Sequence, residues 1–245
     1  MCRAFAGEDG SRRHREVVPD RGKAGPKLMT TSNHTPYEAV ARVIEQHPDR
    51  FYGLAGVDPT EGMSSVRQLE EAITGMGFVG AHLYRTGSLP PDDRRYYPFY
   101  AKCAELDVPI QMQIGHCLVY RPDIRLPSVE AASHNLDTIA CDLPELKLVG
   151  IHTGWPWVEE MISVAWKHPN VYVGSDAYAP KFWKPEFIHF ISSWGQDKVI
   201  FGTDFPVIEP ERAIAEIDDL NLRPASKRKF LRENVIKLYN LKDKP

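Results

Sequence analysis

Gln111-Met112-Gln113-Ile114-Gly115-His116, Leu148-Val149-Gly150-Ile151-His152 and Val199-Ile200-Phe201-Gly202-Thr203-Asp204 are three strand-like runs, each closed by a histidine or an aspartate. Each run is apolar in its body and is followed by a segment with helical spacing. In a barrel of parallel strands the carboxyl ends share one face, and the loops there hold ligands and catalytic groups. Two imidazoles and a carboxylate delivered to that face are raw material for a metal site.

The same alternation continues on both sides of these runs. Phe51–Val57 and Phe78–Tyr84 precede them as strands, and 171–175 lies between the second and third. Helices are predicted over about 36–46, 64–76, 92–106, 129–141, 156–167 and 185–194, with two more over 209–218 and 225–239 closing the chain. Thr35 is suited to an N-cap and Pro36 to the first helical position. Val66, Leu69, Ala72 and Ile73 repeat at the helical period. Strands alternating with helices imply right-handed βαβ units and a parallel α/β sheet. The count is six strands, where a closed (β/α)8 barrel has eight. Either the sheet is open and doubly wound, or two units are missing. At 245 residues and 42% hydrophobic composition, one large domain over 34–245 is expected.

Residues 1–33 are the compositional outlier. Gly7 to Lys27 is rich in Arg, Gly, Pro and acidic residues, with few large apolar side chains beyond Val17-Val18. Such a segment buries too little surface to offset its ordering entropy, so disorder or loose packing is expected. The net charge of −3, with both signs mixed along the chain, excludes a basic field for nucleic acid or anionic lipid. A small-molecule substrate is the expected partner. Four cysteines without CxxC spacing argue against a disulfide framework and a cysteine zinc site, and point to a reducing, cytoplasmic setting. No apolar run approaches the ~20 residues of a membrane helix.

His152 sits in Ile-His-Thr-Gly-Trp-Pro-Trp, where Trp155 and Trp157 can wall a pocket. Asp204 sits in Phe-Gly-Thr-Asp-Phe-Pro, as a turn residue or as a metal ligand and proton carrier; the second role is favoured. His116 is the second imidazole donor, and the neighbouring Cys117 is expected to be an inert small hydrophobe. Alternation puts His82 and Tyr84 on one face of their strand, pointing into a site or filling core. The remaining six histidines have helix-end or surface contexts. GxGxxG, GxxxxGK[ST], GxSxG and HExxH are all absent, which removes nucleotide, serine-hydrolase and zincin readings.

With these residues placed, the chain resembles the amidohydrolase-related family, in the branch that includes aminocarboxymuconate semialdehyde decarboxylase and resorcylate-type decarboxylases as well as hydrolases. The stretches His47–Phe51, Pro90–Pro98, Trp166–Tyr172 and Phe201–Pro206 also resemble it, over roughly 36–241. The resemblance implies a TIM-type (β/α)8 barrel and one divalent metal, zinc or alternatively manganese. It makes His116 and Asp204 metal ligands and gives His152 and Asp204 the proton chemistry. Members open with a His-x-His pair on the first strand, and this chain has none. The barrel is therefore expected to be incomplete, with about six βα units. A truncated or mis-started chain is the simplest account, and a variant that lost its metal is the alternative.

The resulting expectation is a metal-dependent hydrolase or non-oxidative decarboxylase acting on a small, carboxylate-bearing, aromatic substrate. His82, Tyr84, Trp155, Trp157 and Phe205 are its candidate substrate contacts, and Arg85, Arg121 or Arg125 would pair with the carboxylate. The competing expectation is a degenerate barrel that binds or scaffolds without turnover. Unpaired sheet edges would invite association into a homo-oligomer.

Overall fold

The computed structural model describes residues 2–6, 13–19, 35–84, 89–116 and 129–242. Arg85, Cys117, Arg121 and Arg125 lie outside the described residues. In chain order the strands are β1 (Cys2–Ala6), β2 (Arg13–Pro19), β3 (Phe51–Gly56), β4 (Phe78–Leu83), β5 (Ile110–Gln113), β6 (Gly115–His116), β7 (Val129–Ala131), β8 (Leu148–Ile151), β9 (Val171–Gly174) and β10 (Val199–Ile200). The helices are α1 (Tyr37–Gln46), α2 (Met63–Gly75), α3 (Tyr97–Glu105), α4 (Ser133–Asp142), α5 (Val158–Lys167), α6 (Pro185–Ser192), α7 (Pro210–Asp218), α8 (Pro224–Arg228) and α9 (Asn234–Leu238).

The six strands expected from the alternation are β3, β4, β5, β8, β9 and β10, and they pair in parallel in that order. Their parallel register turns every carboxyl end toward one rim. Within 1–33 the described residues form two strands: β2 joins β3 in parallel and β1 joins β2 antiparallel. The result is an 8-stranded sheet. Arg13–Pro19 lacks apolar alternation, so its local pattern gives no strand signal; pairing with the backbone of β3 supplies what the sequence pattern does not announce. Among the described residues the ladder is not closed by hydrogen bonds, and β1 and β10 are its two edges. The helical turn Lys229–Glu233 lies against both. The fold is an incomplete α/β barrel.

Two apolar layers hold it. On the outer face α1, α2 and α5 turn Val40, Ala41, Val66, Leu69, Ala72, Met161, Ile162 and Ala165 onto Phe78, Ile110, Leu148, Val171 and Val173. The i, i+3, i+4, i+7 spacing of Val158, Met161, Ile162 and Ala165 shows why α5 is a helix with one buried stripe. On the inner face Leu54, Val149, Ile151 and Ile200 pack against Val235, Leu238, Tyr239 and Leu241. The C-terminal helix α9 thus covers the concave side of the sheet. Tyr239 Oη donates to Gln111 Oε1 at 3.0 Å, pinning the helix to β5.

Two predicted helices are shorter than their periodicity suggested. The stretch 92–106 begins its helix only at Tyr97, because Asp93 Oδ1 accepts from the backbone and guanidinium of Arg95 and shapes a turn. The stretch 129–141 opens with the strand β7 before α4. That break coincides with Asn135 Oδ1 accepting from the Ala132 amide at 3.0 Å.

At the amino ends of β9 and β10, Lys198 Nζ donates to the carbonyls of His168, Pro169 and Val171. It also stands 5.1 Å from the centre of the Tyr172 ring. Burial lowers its pKa from the ordinary lysine value of 10.5 to about 8. The unfolded chain therefore binds more protons than the folded one between these values. Stability should rise with pH across that window and lose this contribution as pH falls through 8. Lys198→Met should flatten the rise in urea-denaturation free energy measured from about pH 7.5 to 10.5; an identical slope in both proteins contradicts it.

Candidate active site

The rim is built strand by strand. His82 is the penultimate residue of β4, is 6% exposed, and has its Nδ1 3.3 Å from Gln111 Nε2. An amide nitrogen only donates, so with Gln111 oriented this way Nδ1 accepts and the neutral ring carries its proton on Nε2. His82 and Tyr84 do share a face, with ring centres 6.1 Å apart. A polar ladder thus runs from Tyr239 through Gln111 to His82, rising inside the barrel toward the rim.

His116 stands beyond the end of β5, in the two-residue strand β6 that pairs with β7. Its amide donates to Trp155 O at 2.8 Å, which joins β6 to the loop after β8. Its ring lies 5.6 Å from that of Trp155, and Trp155 lies 5.1 Å from Tyr178. His116 and Trp155 therefore meet, and Tyr178 extends the aromatic wall. Trp157 is farther out, at the start of α5 and 38% exposed. Asp204 and Phe205 are half-buried at the end of β10.

His152 follows β8. Its amide donates to Asp176 Oδ1 at 3.0 Å, and its Nε2 lies 3.7 Å from Asp176 Oδ2. Asp176 is 1% exposed and stands just past β9. The next two strand ends are also tied together, because Ser175 Oγ accepts from the Gly202 amide at 3.3 Å. His152 (φ 68°), Thr153 (φ 55°), Ala177 (φ 69°) and Asp204 (φ 52°) all take left-handed backbone conformations that non-glycine residues rarely adopt. Strain of this kind persists only where surrounding contacts over-determine the loop, and here it gathers on three neighbouring strand ends.

Two further rim carboxylates were not singled out by the sequence. Asp58 follows β3 and is fully buried; its Oδ1 accepts from the amide and hydroxyl of Thr60. Asp176 follows β9. The signal that marked Asp204, an acid closing an apolar run, was present at both.

The donor types at the rim are ones that a divalent cation accepts. Among the described residues, His116 Nδ1, Asp58 Oδ2, Asp176 Oδ2 and Thr203 Oγ1 are buried without a hydrogen-bond partner. Orphaned imidazole and carboxylate atoms are what a borderline ion such as zinc or manganese satisfies. The side chains of His116, His152 and Asp204 are not gathered into a single shell. The described group whose donors all lie within 4.8 Å is instead Asp137, Cys141 and His168. That group lies at the opposite, amino end of the strands, just before β9. Its Asp137 Oδ1 already accepts from Lys167 Nζ and pairs with His168 Nε2, both at 2.6 Å. Cys103 is buried and desolvation pushes its thiol up to about 12, so it supplies no nucleophile.

Parallel strands with a polar rim at their carboxyl ends define a barrel-type enzyme scaffold. The chain belongs to the amidohydrolase family, whose model, described as "Amidohydrolase", matches residues 9–241. It is 26% identical over 273 residues to a gamma-resorcylate decarboxylase of Rhodococcus jostii, covering 92% of this chain and 80% of that protein. An uncharacterized TIM-barrel protein from Bordetella bronchiseptica superposes with a TM-score of 0.74 at 26% identity, covering 93% of this chain and 78% of the other. A 5-carboxyvanillate decarboxylase from Novosphingobium aromaticivorans, solved with manganese, superposes at 0.65 and 20% identity, covering 84% and 68%. Among the described residues no helix is long and apolar enough to cross a membrane.

The contact between β6 and the loop after β8 is testable. Gly115 has φ +107°, and a Cβ there would lie 2.2 Å from Trp155 O, whereas a Cβ at Gly75 meets nothing within 4 Å. Gly115→Ala should destabilise by more than about 2 kcal/mol in urea melts. Gly75→Ala, in α2, should stabilise by roughly 0.5–1 kcal/mol. Equal melts for the two variants would show that the close approach is not obligatory.

Proposed function

We propose that this chain is a divalent-metal-dependent carboxy-lyase that removes carbon dioxide from a small hydroxylated aromatic carboxylate. The observation that supports it is a shared rim bearing His116, His152 and Asp204 on a barrel whose relative across 92% of the chain is a gamma-resorcylate decarboxylase. His116 and Asp204 would hold the ion, with zinc or manganese both suited to their nitrogen and oxygen donors. Bound there, the ion supplies a Lewis acid that fixes the substrate's oxygens.

The chain's own residues do the rest. The bond between ring carbon and carboxylate breaks, carbon dioxide leaves, and the bonding pair stays on the ring carbon. That carbon takes up a proton delivered by His152, and a planar ring is seated by Trp155 and Phe205, with His82 and Tyr84 on the adjacent strand end and Trp157 at the mouth. The free thiols of Cys103 and Cys141 suit a reducing cytoplasm. Residues 34–245 act as the barrel domain, to whose sheet β2 and β1 add at one edge.

Metal-loaded protein given gamma-resorcylate should evolve carbon dioxide, and chelation should abolish the activity until zinc or manganese is restored. His152→Asn should lower kcat by about 100-fold or more. Full turnover in a metal-free preparation rules the proposal out. The scattered donor atoms favour a second reading, a silent barrel that binds ligand without turnover. Ligand binding with no carbon dioxide release, even with added manganese, would establish that reading instead.

A further inference from the structure

We propose that Asp176 is the positioning carboxylate of His152, a role that rests on His152 delivering the proton in the carboxy-lyase reading. A buried aspartate that served only to shape its own turn would bond to that turn, as Asp58 does with Thr60. Asp176 bonds to another strand end instead. Its Oδ1 accepts from the His152 amide, across from the neighbouring strand, at 3.0 Å. Its Oδ2 has no hydrogen-bond partner among the described residues and faces His152 Nε2 at 3.7 Å.

A carboxylate 1% exposed is costly to bury without a compensating positive group or donor. The imidazole is the group in place to provide one. With its proton on Nε2, His152 directs an N–H toward Oδ2, and a second proton on the ring would make the contact an ion pair. The same carboxylate therefore fixes the backbone of a strained residue, at φ 68°, and biases where its ring keeps a proton. Space for this arrangement depends on Gly174, where a Cβ would lie 3.0 Å from Asp176 Oδ1 and 2.9 Å from Ile151 Cγ2. The Ser175 bond to Gly202 then holds the Asp204 strand end in line with the pair.

Asp176→Asn separates positioning from mere packing. The variant is isosteric, so its Oδ1 still accepts from the His152 amide, while an NH2 group replaces Oδ2 and presents a donor to Nε2. In the full-length, metal-free protein labelled with 15N-histidine, His152 should hold its proton on Nε2 in the wild type. In Asp176→Asn it should move to Nδ1. On metal-loaded protein kcat should fall about 100-fold or more, with KM within about threefold and metal content unchanged.

A wild-type His152 bare at Nε2, or a tautomer unmoved in the variant, overturns the proposal. So does a variant whose loss lies in KM alone. If the variant fails to fold, the wild-type tautomer still decides. The spectra require no turnover, so a barrel inactive on aromatic carboxylates would sink the lyase reading and leave the Asp176 measurement standing.

Discussion

The parallel register of β3, β4, β5, β8, β9 and β10 is the constraint on which the rim depends. Side chains that are far apart in sequence, such as His82, His152 and Asp204, share a rim only because each lies at or just beyond the carboxyl end of a strand in one ladder. The ladder in turn depends on being buried on both faces. Helices cover it outside, and α9 covers it inside through Leu238, Tyr239 and the Tyr239–Gln111 hydrogen bond. A parallel sheet with either face wet would lose the apolar burial that sets its register.

Burial also shapes the chemistry at the rim. Polar atoms there sit in a low-dielectric setting, where an unpartnered oxygen or nitrogen is expensive and a correctly placed proton or cation is worth much more than in water. The orphaned atoms of Asp58, His116, Asp176 and Thr203 are therefore the informative ones. The ion pairs on the outer surface, such as Lys184 with Glu159, are solvated and say little about function. The left-handed residues of the β8, β9 and β10 loops concentrate at the same place. Backbone strain, buried carboxylate and imidazole coincide there as they do at sites held ready for a ligand.

Family membership and missing motif pull against each other in a physically specific way. The family match spans 9–241, yet the His-x-His pair expected on a first strand is not in the sequence. The hairpin of β1 and β2 extends the sheet, and neither strand carries a His-x-His pair. With no His-x-His pair in the sequence, the carboxylates at the rim gain importance. Asp176 is the one whose geometry couples it directly to a predicted catalytic residue.

The alternation of strand and helix, six of the seven parallel strands, and the strand-end positions of His82, His116, His152 and Asp204 could be read from the sequence alone, because apolar periodicity and turn chemistry are local properties. It also carried the family resemblance. The strands in residues 1–33 were not legible, since Arg13–Pro19 joins the sheet through backbone pairing and carries no apolar alternation to announce it. Only the tertiary structure decided that α9 fills the inner face, that Trp155 lies between His116 and Tyr178, and that Asp176 reaches back to His152. Those contacts join residues 24 to 128 positions apart in two of their cases, and spacing along a chain does not encode which side chains meet once a sheet has curled.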